Sequence, residues 1–300
     1  MAEGVATLDS IGGAEAAPPR ASAGWATVQQ LLRHRSFETG LGLFAILVVA
    51  AAFVPMISGA DPTRLAMRTR FVPPGAEFLF GTDNFGRSQL ARVVYGARLS
   101  LMIGTSVVVL NAIFGTLVGA LSGYFHRLDN PLMRINDALM AFPPVLLAIA
   151  VAAVLGRSTP NVIVALAIVY VPRTARIVRA SVLVIRQMEF VQAAVAAGAG
   201  HWRILRRHVL PNAMAPLIVQ LSFLFAYAVL TEATLSFLGL GAEPPTPTWG
   251  NIMAEGRQYM REAPWIIAIP GGALALTVMA LNLLGDGLRD VLDPRLKIQQ

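Results

Sequence analysis

The sequence predicts an all-α polytopic membrane protein with about six transmembrane helices. Three observations carry that prediction. Charged residues make up only 14% of the 300 residues and hydrophobic ones 55%, where a soluble domain carries about a quarter charged. The apolar residues gather into six runs near the ~20 residues needed to cross a hydrocarbon core. The arginines fall between these runs rather than on one soluble face, which argues against nucleic-acid binding.

Taken in order, residues 1–36 are rich in alanine, glycine and polar residues and lack the apolar core of a signal peptide. They read as a cytosolic tail, with the first span, 41–58, as an uncleaved anchor. Residues 59–98 form an outer loop in which a short helix is expected along the membrane surface. Asp83 or Asn84 would cap it, and Leu90, Val93, Val94 and Ala97 follow helical spacing. The second span, 99–124, holds Asn111 near its middle, a candidate for lining a pore. The third, 134–156, contains Pro143 and Pro144, which distort it as a static kink or a hinge. Asp137, three residues past Arg134, is expected to pair with that arginine on one helix face.

The fourth span covers 161–178, and a long connection, 174–212, carries six of the inner arginines, more than any other inner segment. The fifth span, 213–240, places Glu232 about 28 Å along the helix, near its outer end. There it would serve as a gate or substrate-amine contact, or as a packing or capping group. Residues 241–263 come next, with Trp249 beside a proline-rich turn as an interfacial anchor or a loop cap. The sixth span is 264–285. Beyond it Gly285, Asp286, Arg289, Asp290, Asp293 and Arg295 form a polar end, expected to be fixed by ion pairs. Six spans put both termini on one side. With the termini inside, the inner segments hold 15 of the 24 arginine and lysine residues and the outer ones 9, as the positive-inside rule requires.

Several functions are excluded or demoted. There is no cysteine, so no disulfide, thiolate metal site or cysteine nucleophile. Lys297, the sole lysine, is followed by Ile298, so the chain has no Gly-x-x-x-x-Gly-Lys-Ser/Thr phosphate loop. It is not expected to be an enzyme or to bind a cofactor or metal itself. His34, His126, His201 and His208 all fall in inner segments, away from membrane depth. An ion-coupled secondary transporter would need a buried titrating pair, and Asp137 and Glu232 are expected at opposite ends.

One stretch interrupts the apolar pattern: QAAVAAGAGHWRILRRHVLPN, residues 192–212. Its alanines favour helix, Glu189 suits the positive end of the helix dipole, and Gly198 and Gly200 offer a turn. A helix coated with alanine is slim, so another body can approach its backbone closely. Physics alone leaves a docking helix for a cytosolic partner and a mere linker both open.

The stretch resembles the EAA loop of the inner-membrane permeases of ABC importers. Gln192, Ala193, Ala194, Gly198, Ile204 and Pro211 fall at the places of that pattern, and His208 and Asn212 match the RHxLPN ending of the peptide branch. Gln192 stands where glutamate is usual, with Glu189 about one turn earlier. GTDNFGRSQLARVVYGARLSL (81–101), EATLSFLGLGAEPPTPTWG (232–250) and NLLGDGLRDVLDPRL (282–296) also resemble the dipeptide/oligopeptide/nickel branch. Together they cover about residues 80–296 and point to its second, C-type permease subunit.

The resemblance implies a type I ABC importer transmembrane domain over about 97–286, with a coupling loop at 187–212 and a cytosolic C-terminal tail at 287–300. It implies a multi-pass chain of a bacterial inner membrane, with both termini cytosolic. Partners would be a second permease subunit, two ATP-binding subunits carrying ATP and Mg, and an extracytoplasmic binding protein delivering substrate to the outer loops. Glu189, Gln192, Ala193, Ala194, Gly198, Ala199 and Gly200 would form the coupling element. Peptides lead as substrate, with nickel chelates, glutathione and opines as alternatives.

Overall fold

The described residues fold into eleven α-helices, the longest of them built on the apolar runs. A computed structural model describes residues 23–58 and 61–292. Residues 1–22, and Asp293, Arg295 and Lys297 near the C-terminus, lie outside the described residues. In chain order the helices are α1 (Ala23–Arg33), α2 (Arg35–Ser58), α3 (Gln89–Tyr124), α4 (His126–Met140), α5 (Pro144–Leu155) and α6 (Thr159–Ile185). They continue with α7 (Glu189–Ala196), α8 (His201–Ile204), α9 (Met214–Phe237), α10 (Trp249–Gly256) and α11 (Trp265–Leu292). A single turn of π-helix, Leu205–Val209, joins α8 toward α9. Five described stretches are long and apolar enough to cross a membrane: Arg35–Phe53, α3, α6, His201–Phe237 and α11.

The sixth expected span differs. Instead of one kinked helix over 134–156, α4 and α5 meet at an angle of 93°. Pro143 and Pro144 supply the reason: Pro143 is extended, with ψ at 131°, and Pro144 starts a new helix, where its missing N–H costs least. Asp137 also differs from expectation. It accepts from Arg176 of α6 at 2.5 Å rather than pairing with Arg134. Two turns nearer the start of α4, Asp129 takes Arg179 of α6 in a two-pronged pair at 2.6 and 2.7 Å. The carboxylates of α4 thus tie it to α6.

The core is a three-helix contact of α3, α6 and α9. Ile103, Val107, Leu166, Leu224, Ala228 and Leu235 are buried there, with Ala148 and Ala152 of α5 against them. Between α3 and α6 the backbones approach closely along Gly115, Gly119 and Gly123, spaced four apart. A β-carbon at Gly115 would lie 2.7 Å from Cβ of Thr174, one at Gly119 would strike the Ala175 carbonyl, and one at Gly123 would lie 2.8 Å from Cβ of Val182. Small residues at this spacing allow membrane helices to pack by dispersion where no hydrophobic force acts between them. The pairing, 115 with 174 and 123 with 182, makes α3 and α6 parallel.

The expected surface helix within 59–98 is the first part of α3, which runs without a break for 36 residues. Ser88 caps it, accepting from the Ala91 N–H. Asp83 has a different task. Its Oδ1 accepts from the N–H groups of Phe85 and Arg87, both at 2.9 Å, which is local capping chemistry. The chain then turns at Gly86, with φ at +74° and no room for a β-carbon beside Ala66, before the helix starts. Oδ2 of the fully buried Asp83 takes Arg87 Nε at 2.6 Å and Arg92 Nη1 at 2.8 Å. Both arginines continue to Glu255 of α10. This ion-pair knot holds loop 61–88, α3 and α10 together.

Trp249 is not an interfacial anchor. It is buried, and its indole N–H donates to the Val93 carbonyl at 3.0 Å. Opposite this end, α2 and α11 run antiparallel in close contact: β-carbons at Gly40 and Gly287 would meet Leu284 and Phe37 respectively. His34 Nε2 lies 3.4 Å from a carboxylate oxygen of Asp290, which links the polar end of α11 to the break between α1 and α2.

Candidate functional site

The connection after α6 is shorter than the sequence suggests, because α6 continues to Ile185. A compact turn then leads into the eight-residue α7. Val191 is the residue of α7 that is buried. With Val178, Val182 and Ile185 of α6, Ile204, Leu205 and Val209, and Leu217 of α9, it belongs to one apolar cluster. Ala194, three residues on, packs at its edge. The rest of α7 faces outward: Gln192, Ala193, Ala196 and Ala197 are exposed, as are the apolar Phe190 and Val195 at 43% and 52%.

The helix ends by a definite device. Gly198 has φ at +79°, the left-handed conformation that glycine adopts without strain. Its N–H donates to the Val195 carbonyl at 2.9 Å and that of Ala199 to the Ala194 carbonyl at 3.0 Å, which is the Schellman pattern. Nothing lies within 4 Å of where β-carbons at Gly198 and Gly200 would be. Gly198 is therefore required by backbone conformation, not by crowding, and both glycines leave the surface open.

Gln192 uses the one property a glutamate lacks. Its Nε2 donates to the Arg186 carbonyl at 3.2 Å, just past the end of α6. The Arg186 side chain in turn donates to the Gly123 carbonyl of α3 at 3.1 Å, and Tyr124 at the end of α3 meets His201 at 3.2 Å. So a side chain of α7 fastens it to the end of α6, Arg186 links that end to α3, and Tyr124 of α3 meets α8. Glu189 stands exposed in the first turn of α7 and has no ion pair among the described residues.

The two residues expected along a substrate path are enclosed. Asn111 is fully buried; its Nδ2 donates to the Val107 carbonyl of the preceding turn at 2.9 Å, and its Oδ1 has no partner. Glu232 lies near the expected end of its helix, but not in water. Ser100 of α3 donates to it at 2.8 Å and Ser236 at 2.7 Å. The start of α10 covers it, with Gly250 pressed on Ala233 and Ser236. Neither residue borders open space in this chain, and neither touches the α7 site.

Residues 112–298 match the family described as the binding-protein-dependent transport system inner membrane component. That is more than half of the chain. The chain belongs to this family. As a family member it has the all-α, type I importer transmembrane fold expected from the sequence. A dipeptide transport system permease protein of Alkalihalophilus pseudofirmus is 43% identical over 90% of this chain and 89% of its own length. A protein of Brucella abortus biovar 1, provisionally named a peptide transport system permease, is 55% identical over 91% of this chain and 92% of its own. A glutathione transport system permease protein of Pectobacterium atrosepticum is 44% identical over 91% and 92%.

Two features of this family member lie outside the expectations from sequence. The glycine seam is visible there as Gly115, Gly119 and Gly123 in a small-x-x-x-small pattern. The knot around Asp83 is not, because Glu255 lies 163 residues from Arg92 and no local spacing joins them.

Proposed function

We propose that this chain forms half of the translocation path of an ATP-driven importer of di- and oligopeptides in a bacterial inner membrane, with both termini in the cytosol. A second permease subunit supplies the other half. Two ATP-binding subunits carry ATP and Mg, and an extracytoplasmic binding protein delivers the peptide. The observation that carries the reading is α7: a slim helix with exposed alanines, Phe190 and Val195 on its outer side, rooted in the core through Val191 and tied by Gln192 to the end of α6, which Arg186 links to α3. Closure of the ATP-binding subunits moves α7. The clasp at Gln192 and Arg186 passes that motion to the α3 and α6 pair, which shifts the balance between inward- and outward-facing states.

The substrate class rests on the peptide and dipeptide names of the relatives. The relative named for glutathione, itself a tripeptide, keeps that substrate as the second reading. Reconstitution in liposomes with the partner subunits tests both. Labelled dipeptide is expected to enter only with ATP and the binding protein present. Entry driven by a proton or sodium gradient without ATP contradicts the proposal.

A further inference from the structure

The helix α1 is left over by the transport reading. It is 11 residues long, about 16 Å at ~1.5 Å per residue, and one non-helical residue, His34, separates it from the span α2. Trp25, Val28 and Leu32 are 60%, 42% and 53% exposed. At spacings of three and four they share one narrow edge, while Gln30 lies on the far side. Arg33 and Arg35 at its root are exposed and have no ion pair among the described residues.

We propose that α1 is seated in the cytosolic leaflet, with Trp25, Val28 and Leu32 among the upper acyl chains and Arg33 and Arg35 on anionic headgroups. Three observations select lipid as the occupant. The root is fixed at the bilayer boundary, because Phe37 and Gly40 pack on α11 and His34 meets Asp290. A helix that ends one residue before a span keeps that end, and Leu32 with it, at the membrane, and α1 packs on α11 as well as on α2. The span that follows also exposes apolar side chains, with Leu41, Ile46 and Val49 at 39%, 67% and 54%, so an apolar surface borders α1. Finally, the combination of a tryptophan, an aliphatic edge and flanking arginines without ion-pair partners fits a surface that is apolar below and anionic above.

The proposal rests on the membrane sidedness above but not on α7, so it fails or survives independently of ATPase coupling. The chain has no cysteine, which allows single nitroxide labels at Val28→Cys, Leu32→Cys and Gln30→Cys in assembled complexes that still take up peptide. In nanodiscs, oxygen is expected to relax labels 28 and 32 several-fold more than a water-soluble nickel chelate does, with the reverse at 30. Adding phosphatidylglycerol is expected to widen the contrast. Equal access of the nickel chelate to 28, 30 and 32 overturns the proposal. So does protection of 28 and 32 in detergent that depends on the second permease or an ATP-binding subunit, since protein would then cover the edge.

Discussion

Asp83→Ala is expected to lower stability by about 3–5 kcal/mol, the usual cost of removing one partner from a buried ion pair. The loss has two parts. Arg87 and Arg92, 7% and 1% exposed, are left to share the single carboxylate of Glu255, so one buried positive charge is uncompensated, and the N–H groups of Phe85 and Arg87 lose their acceptor. Asp83→Asn retains an oxygen for those N–H groups but not the charge, so it is expected to fall between the native chain and the alanine variant. Thermal unfolding of the purified complex measures the order: native, then Asn, then Ala. The damage should concentrate on the outer side, because the knot joins loop 61–88 to α10, the helix that covers Glu232. An unchanged midpoint for Asp83→Ala would mean that the knot is incidental.

The second large effect is expected at α7, and it should appear in function rather than stability. Gly198→Val forces a β-branched residue into φ near +79°, which L residues avoid by roughly 1–2 kcal/mol. No neighbour is struck, so the core stays packed while the end of α7 is redirected. Gln192→Glu turns a donor into an acceptor aimed at the Arg186 carbonyl, beside the negative end of the α6 dipole. Both variants are expected to assemble in the membrane and to hydrolyse ATP. Each should carry about tenfold less peptide per ATP hydrolysed, the equivalent of ~1.4 kcal/mol of lost coupling. Uptake and hydrolysis falling in equal proportion would instead point to a general loss of complex.

Much of this fold is legible in the sequence, and the failures have physical causes. Spans can be read because lipid demands length and apolarity, which are local properties. The position and end of α7 can be read because alanine runs and a left-handed glycine are also local. The break at Pro143 and Pro144 is sharper than the sequence suggests. One proline kinks a continuing helix, but here the first is extended and the second restarts the chain. Asp137 misleads because spacing offers Arg134 on its own helix, whereas the antiparallel packing of α4 against α6 brings Arg176. Trp249 misleads in the same way, and Glu232, near the end of its helix as expected, is packed rather than open to water. Position along a helix sets depth in the membrane, but the covering of that end by α10 is a tertiary fact. Gln192 looks like a missing charge in the sequence. The structure shows instead what an amide can do there.

The central claim is that α7 is where the ATP-binding subunit engages this chain. Cysteine crosslinking tests it most directly, since the native chain contributes no background. Ala193→Cys and Ala196→Cys lie on the exposed side and Val191→Cys on the buried one. The account predicts crosslinks from 193 and 196 to the ATP-binding subunit, none from 191, and a yield that changes when ATP is added. Absence of any crosslink from 193 and 196 in a complex that still copurifies and transports would contradict it.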